Sequence, residues 1–199
     1  PEGSREIGAA LEAAGIGYLD APCTGSKVGA ENATLTFMIG GDRAVFEQIK
    51  PVLEIVGKQF FFCGGPGLGL QAKLTQNLML ANMMQAFNEG IVLAVKGGVD
   101  PDVMFQVLDN SAAKSGLVSG KAPAIFKRDF TTNFATKWMH KDVSMALDSG
   151  RSLGVPLPMT AVTQQMYQAA LSAGDADADF CSTVKTMERL SGVEVKGSK

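Results

Sequence analysis

At Cys63 the hydrophobic pattern of this chain changes period. Before it, short apolar runs alternate with helical patterns; after it, apolar positions recur at helical spacing and no convincing strand remains. Ser4 opens an amphipathic stretch to about Ala14, Gly15 stops it, and Ile16 to Leu19 reads as a short strand running into Asp20-Ala-Pro22. Leu35 to Ile39 reads as a second strand, Gly40-Gly41-Asp42 as a turn and helix start, Ala44 to Val56 as a helix, and Gln59 to Cys63 as a third strand. Helices are then predicted over 68–96, 101–109, 115–127, 136–153, 158–173 and 179–191, separated by glycine and proline breaks. The expected fold class is α/β followed by all-α, with domains at 1–65 and 66–199 and no flexible spacer between them.

The longest apolar run, Leu68 to Val95, is interrupted by Gln71, Lys73, Gln76, Asn77, Asn82, Gln85, Asn88 and Glu89, which predicts a buried helix rather than a membrane span. With 46% hydrophobic and 19% charged residues, the 199-residue chain has enough apolar material for one large or two small cores. A net charge of −2 and scattered lysines supply no basic field for nucleic acid or anionic lipid, so a small molecule is the expected partner. Cys23, Cys63 and Cys181 are odd in number and far apart, which suggests neither a disulfide framework nor a zinc site and suits a reducing cytoplasm. The single histidine, His140, excludes chemistry that needs two imidazoles. The chain starts at Pro1, already in a helical pattern and without a signal or transit peptide, so a fragment is expected.

Gly67-Leu-Gly-Leu-Gln-Ala72 matches G-x-G-x-x-A after a strand and at a helix start, the context of a dinucleotide fingerprint. That fingerprint needs a second parallel strand ending in an acidic residue, whereas here the run stays helical through Val95 and Glu89 falls mid-helix. The glycines are read instead as a tight turn that lets the helix start close to a ligand or a neighbouring backbone.

Lys73 and Asn77 are four residues apart, on one helix face. Lys73 is the only cation between Gln59 and Val95; a lysine on so apolar a helix sits in a cleft or partly buried, where a lowered pKa suits it to proton transfer. The same spacing also fits a lysine reaching water from a domain boundary. Thr24-Gly25-Ser26, directly after a strand, offers two hydroxyls and backbone N–H groups as a carboxylate cradle, or is simply a turn. Lys141 and Asp142, beside His140 and after Phe134 and Trp138, read as functional charges or as a solvated helix face. The ten methionines read as core filler.

Together the stretches Asp20-Ala-Pro-Cys-Thr-Gly-Ser26, Gly67-Leu-Gly-Leu-Gln-Ala-Lys-Leu-Thr-Gln-Asn77, and Lys141-Asp142 before Gly154-Val-Pro-Leu-Pro158 resemble the β-hydroxyacid dehydrogenases, in family order and across essentially the whole chain. That family includes 3-hydroxyisobutyrate dehydrogenases, tartronate semialdehyde reductases and glyoxylate or succinic semialdehyde reductases. The resemblance implies the C-terminal end of a Rossmann-like domain, joined by a long helix to an all-helical, 6-phosphogluconate-dehydrogenase-like domain. It implies Lys73 as the catalytic residue, Thr24, Gly25, Ser26 and Asn77 as substrate contacts, and Lys141 and Asp142 on the cofactor side. NAD or NADP is the implied cofactor, no metal is needed, and the partner is a small hydroxy acid or semialdehyde.

The surface of the long apolar helices predicts a homodimer or homotetramer, with the cytoplasm, or alternatively the mitochondrial matrix, as the expected location. The glycine fingerprint is expected upstream of Pro1, so this fragment alone is expected to be inactive. Two departures bear on substrate: Thr24 stands where serine is usual, and Ser26 where a second glycine is commoner. Ser26-Lys27 resembles the glyoxylate and succinic semialdehyde reductases, while Thr34 to Gly41 looks more like the hydroxyisobutyrate and tartronate semialdehyde enzymes. A 6-phosphogluconate-type enzyme would need a basic phosphate-binding cluster, which the sequence lacks. The competing reading is a non-catalytic helical module of the same family that dimerises or binds a protein through its long helix.

Overall fold

The computed structural model describes residues 1–197. The chain divides into two compact units, Pro1–Gln76 and Asn77–Lys199. The first opens with α1 (Glu2–Ala13), followed by β1 (Leu19–Asp20), β2 (Cys23–Thr24), α2 (Ser26–Glu31), β3 (Leu35–Gly41), α3 (Arg43–Leu53) and β4 (Gly57–Gly64). Strand β3 is the hub of the sheet. β1 and β2 pair with it antiparallel, Asp20 opposite Gly40 and Thr24 opposite Thr36, and β4 pairs with it parallel through the α3 crossover. Asp42 fixes the start of α3 by accepting from the N–H groups of Ala44 and Val45 at 2.6 and 3.1 Å. Leu35, Phe37, Ile39 and Phe46 form the buried core of this unit, with Phe60 stacked on Phe37.

The second unit contains most of α4 (Leu68–Lys96) and then α5 (Pro101–Asp109), α6 (Gly116–Phe126), α7 (Thr136–Leu153), α8 (Pro158–Ser172), a 3-10 turn (Phe180–Thr183) and α9 (Val184–Ser191). Its core runs along α4 through Ala81, Met84, Phe87, Ile91 and Val92 and takes in Met139, Val143, Tyr167 and Val184. α4 is long and apolar enough to cross a membrane by length and composition only. Two of its asparagines donate to threonines of the same unit: Asn82 to Thr160 Oγ1 at 3.0 Å and Asn88 to Thr183 Oγ1 at 2.9 Å. Around the 3-10 turn the carboxylate of Asp179 takes Lys121 Nζ at 2.8 Å and the N–H groups of Asn133, Phe134 and Cys181.

The α/β-then-α order and the helices after Cys63 follow the sequence pattern. The differences lie in the first unit. The strand expected over Ile16–Leu19 is β1, shifted to Leu19–Asp20, with Ile16 exposed, because pairing starts only where the chain meets Gly41. The turn expected at Thr24-Gly25-Ser26 is split between β2 and the short helix α2. Two-residue strands and a one-and-a-half-turn helix are too short to leave a periodic signal. The compact units divide within α4, between Gln76 and Asn77. The first turn of α4 is tied to β1 of the first unit, as the site geometry shows.

Candidate active site

Asp20 ends β1 and is 4% exposed. Its carboxylate accepts from the backbone N–H groups of Gly67 at 2.6 Å and Leu70 at 2.7 Å, at the start of α4. Donors and helix dipole both favour a negative charge there, so Asp20 does for α4 what a capping side chain does for an ordinary helix. Two glycines make the approach feasible. A Cβ on Gly69 would lie 2.4 Å from the carbonyl oxygen of Met38, and one on Gly40 would lie 2.5 Å from Asp20 Oδ1 and 2.6 Å from the Gly69 nitrogen. The G-x-G-x-x-A stretch is therefore a helix-on-sheet contact, the neighbouring-backbone alternative of the sequence reading. The helix N-terminus that a pyrophosphate would use is filled by Asp20.

This fastening sets the register of the residues that follow. Lys73 is half-buried in the second turn of α4, with Gln76 three residues on and Asn77 four. In the first unit Gln76 Nε2 donates to Thr24 Oγ1 at 3.1 Å. Gly25 and Ser26, both exposed, take φ values of 128° and 55°, so the chain turns away from the sheet directly after Thr24. Lys27 pairs with Glu31 at 3.7 Å on the solvent face.

In the second unit Asn77 is 2% exposed and its Nδ2 donates to Asp142 Oδ2 at 2.6 Å. The other oxygen of Asp142 lies 3.0 Å from the ammonium of Lys141, whose side chain is 55% exposed. Asp142 thus links the second and third sequence motifs, and its charge is spent on Asn77 and Lys141. His140 turns the other way, its Nε2 2.9 Å from Gln164 Nε2 on α8, and burial lowers its pKa and favours the neutral ring. Phe134 packs edge-on against Phe180 in the core, and Trp138 lies under the ammonium groups of Lys137 and Lys141. Two residues went unassigned in the sequence reading. Neither carried a signal of its contact, because the partners of Asp20 are 47 and 50 residues away and that of Gln76 is 52 away.

Residues 67–187 match the family model described as NAD-binding of NADP-dependent 3-hydroxyisobutyrate dehydrogenase, and residues 1–65 match the NAD binding domain of 6-phosphogluconate dehydrogenase. The chain belongs to the β-hydroxyacid dehydrogenase family. The cofactor class of this family is NAD or NADP. Among its β-hydroxyacid dehydrogenase relatives, 2-(hydroxymethyl)glutarate dehydrogenase of Eubacterium barkeri is 38% identical over 93% of the chain and 62% of its own length. The 2-hydroxy-3-oxopropionate reductase of Escherichia coli is 34% identical over 87% of the chain and 59% of its own length. A Mycobacterium tuberculosis 3-hydroxyisobutyrate dehydrogenase solved with L-serine superposes with a TM-score of 0.86 at 33% identity, covering 92% of the chain and 65% of that structure. The chain thus spans less than two thirds of the length of these relatives.

Proposed function

We propose that this chain is the proton-transferring and substrate-recognising part of an NAD(P)-dependent enzyme that interconverts a small hydroxy acid and its semialdehyde, of the 3-hydroxyisobutyrate dehydrogenase type. The observation that carries the reading is the placement of Lys73 on α4: a half-buried lysine on a helix held in register by the Asp20 contact, four residues before the buried Asn77. When bound, the nicotinamide supplies or accepts the hydride at the carbon that bears the alcohol or aldehyde oxygen. In the reducing direction the Lys73 ammonium donates its proton to the aldehyde oxygen; in oxidation the neutral amine takes the hydroxyl proton.

Asn77, its amide held by Asp142, presents its remaining hydrogen-bonding capacity one turn beyond Lys73. Thr24, Gly25 and Ser26 receive the substrate carboxylate through hydroxyl and backbone donors. Lys141, half-exposed and anchored by Asp142, fits the side of an anionic dinucleotide. No pyrophosphate cradle fits at Gly67–Gly69, where Asp20 and the Met38 carbonyl occupy the space.

The test is NADH and NADPH oxidation by the full-length protein against glyoxylate, succinic semialdehyde, tartronate semialdehyde and methylmalonate semialdehyde, with Lys73→Ala alongside. Loss of a general acid typically costs about 10²–10⁴ in rate, so the variant should lose at least that in kcat with substrate binding less affected. Turnover unaffected by the substitution would sink the Lys73 mechanism. A full-length protein that binds no nicotinamide would favour the non-catalytic module.

A further inference from the structure

Gln76 closes the first compact unit and holds two unlike positions at once. Its Nε2 donates to Thr24 Oγ1 at 3.1 Å, while its Oε1 is buried and receives no hydrogen bond from any of the described residues. An enclosed amide oxygen without a donor costs folding free energy, so stability alone does not account for a glutamine here; an apolar side chain of similar length would serve the fold as well. Thr24 has little freedom left. Its backbone is paired with Thr36 on β3, the chain turns away at Gly25 and Ser26, and its β-branched side chain has few open χ1 wells. What is left to set is the direction of its one proton. A hydroxyl accepts through its lone pairs and donates once, so an N–H directed at Oγ1 leaves the threonine proton to point elsewhere.

We propose that Gln76 is a positioning residue for substrate binding: by donating to Thr24 Oγ1 it turns the threonine O–H outward, as a donor to the carboxylate of the acid substrate. The proposal rests on the reading of Thr24 as a carboxylate contact in a hydroxyacid dehydrogenase. Threonine with glutamine then works as a pair, the methyl fixing the rotamer and the amide fixing the proton. Gln76 acts through Thr24 and touches no reacting atom.

Steady-state kinetics and thermal melting of the full-length protein test this, with the best substrate of the screen above and the variants Gln76→Leu, Gln76→Glu, Thr24→Ala and the Thr24→Ala/Gln76→Leu pair. Gln76→Leu should raise KM for the acid about tenfold, leave kcat within about threefold and melt no lower than the parent. Gln76→Glu should bind worse still, because a carboxylate can only accept, drawing the Thr24 proton inward and adding a negative charge near the substrate. The double variant should be no worse than Thr24→Ala alone, the mark of one residue acting through the other. A parent-like KM in Gln76→Leu, additive losses in the pair, or a lowered melting temperature with kcat and KM impaired together would each overturn the proposal while leaving the dehydrogenase reading intact. A parent that turns over no hydroxy acid or semialdehyde would overturn both.

Discussion

The two units stabilise buried carboxylates by different means. In Pro1–Gln76, Asp20 is held by two backbone N–H groups at the start of a helix. In Asn77–Lys199, Asp142, Asp179 and Glu188 each meet a basic side chain, Lys141, Lys121 and Arg128 respectively, and in Asp179 and Glu188 the ion pair adds to backbone N–H donors. Backbone donors are already in place once the strand and helix exist, and they position the charge without ordering a long side chain. An ion pair must order two side chains and desolvate both, and removing one partner strands the other. The first arrangement sets the register of α4 and hence of Lys73. The second ties segments distant in sequence into the helical core, as Arg128 does by donating to both Glu188 and the carbonyl oxygen of Val195.

The same substitution at both kinds of site breaks the comparison most directly. Asp179→Asn should cost about 3 kcal/mol in denaturant unfolding, because it leaves Lys121 facing a neutral amide in a largely buried site and weakens the contacts to Asn133, Phe134 and Cys181. Burial would raise the Asp179 pKa, but the hydrogen bond and charge of Lys121, with the backbone donors, outweigh it and hold the carboxyl below its ordinary value. A carboxyl depressed on folding contributes stability that is present above its unfolded value and is lost as pH falls through the folded one, so the parent should lose this contribution in acid and the variant should not. A parent and variant with equal acid sensitivity would remove the ion pair from the account.

Asp20→Asn should cost less, about 1–2 kcal/mol, since the amide oxygen can still accept one N–H and only the charge and the second contact are lost. Its signature should be local: faster hydrogen exchange at Gly67 and Leu70, with the helical unit unaffected. If Asp20→Asn instead destabilised the protein as much as Asp179→Asn, the distinction between backbone-held and ion-paired carboxylates would fail.

The smallest effect is expected at His140. Burial lowers its pKa, so the unfolded state binds the proton more readily, and stability declines as pH falls through the ordinary histidine value toward the lower folded one. His140→Gln should flatten that decline in melting curves taken between about pH 7 and pH 5, the window set by the ordinary histidine value. An unchanged slope would show that other groups carry it.

Much of this was legible in the residues. Helices α4, α5 and α7 coincide with their sequence patterns because long amphipathic or apolar runs bounded by glycine, proline and capping residues leave little choice of structure. Lys73 and Asn77 were legible for the same reason: four residues apart on a helix is a fixed geometry. Short elements were not, since β1, β2 and α2 exist by pairing with β3 or by the turn at Gly25 and Ser26, and not by local preference.

The sequence by itself determined the order of α/β and helical parts, the long helix and the lysine on it, because those follow from periodicity and composition along the chain. Only the tertiary structure decided that Gly67 and Gly69 serve a helix packed on a sheet, that Asp142 belongs to Asn77, and that Gln76 belongs to Thr24. Each of these is a contact between residues far apart in the chain, and a hydrogen bond a few ångströms long has no counterpart in sequence spacing.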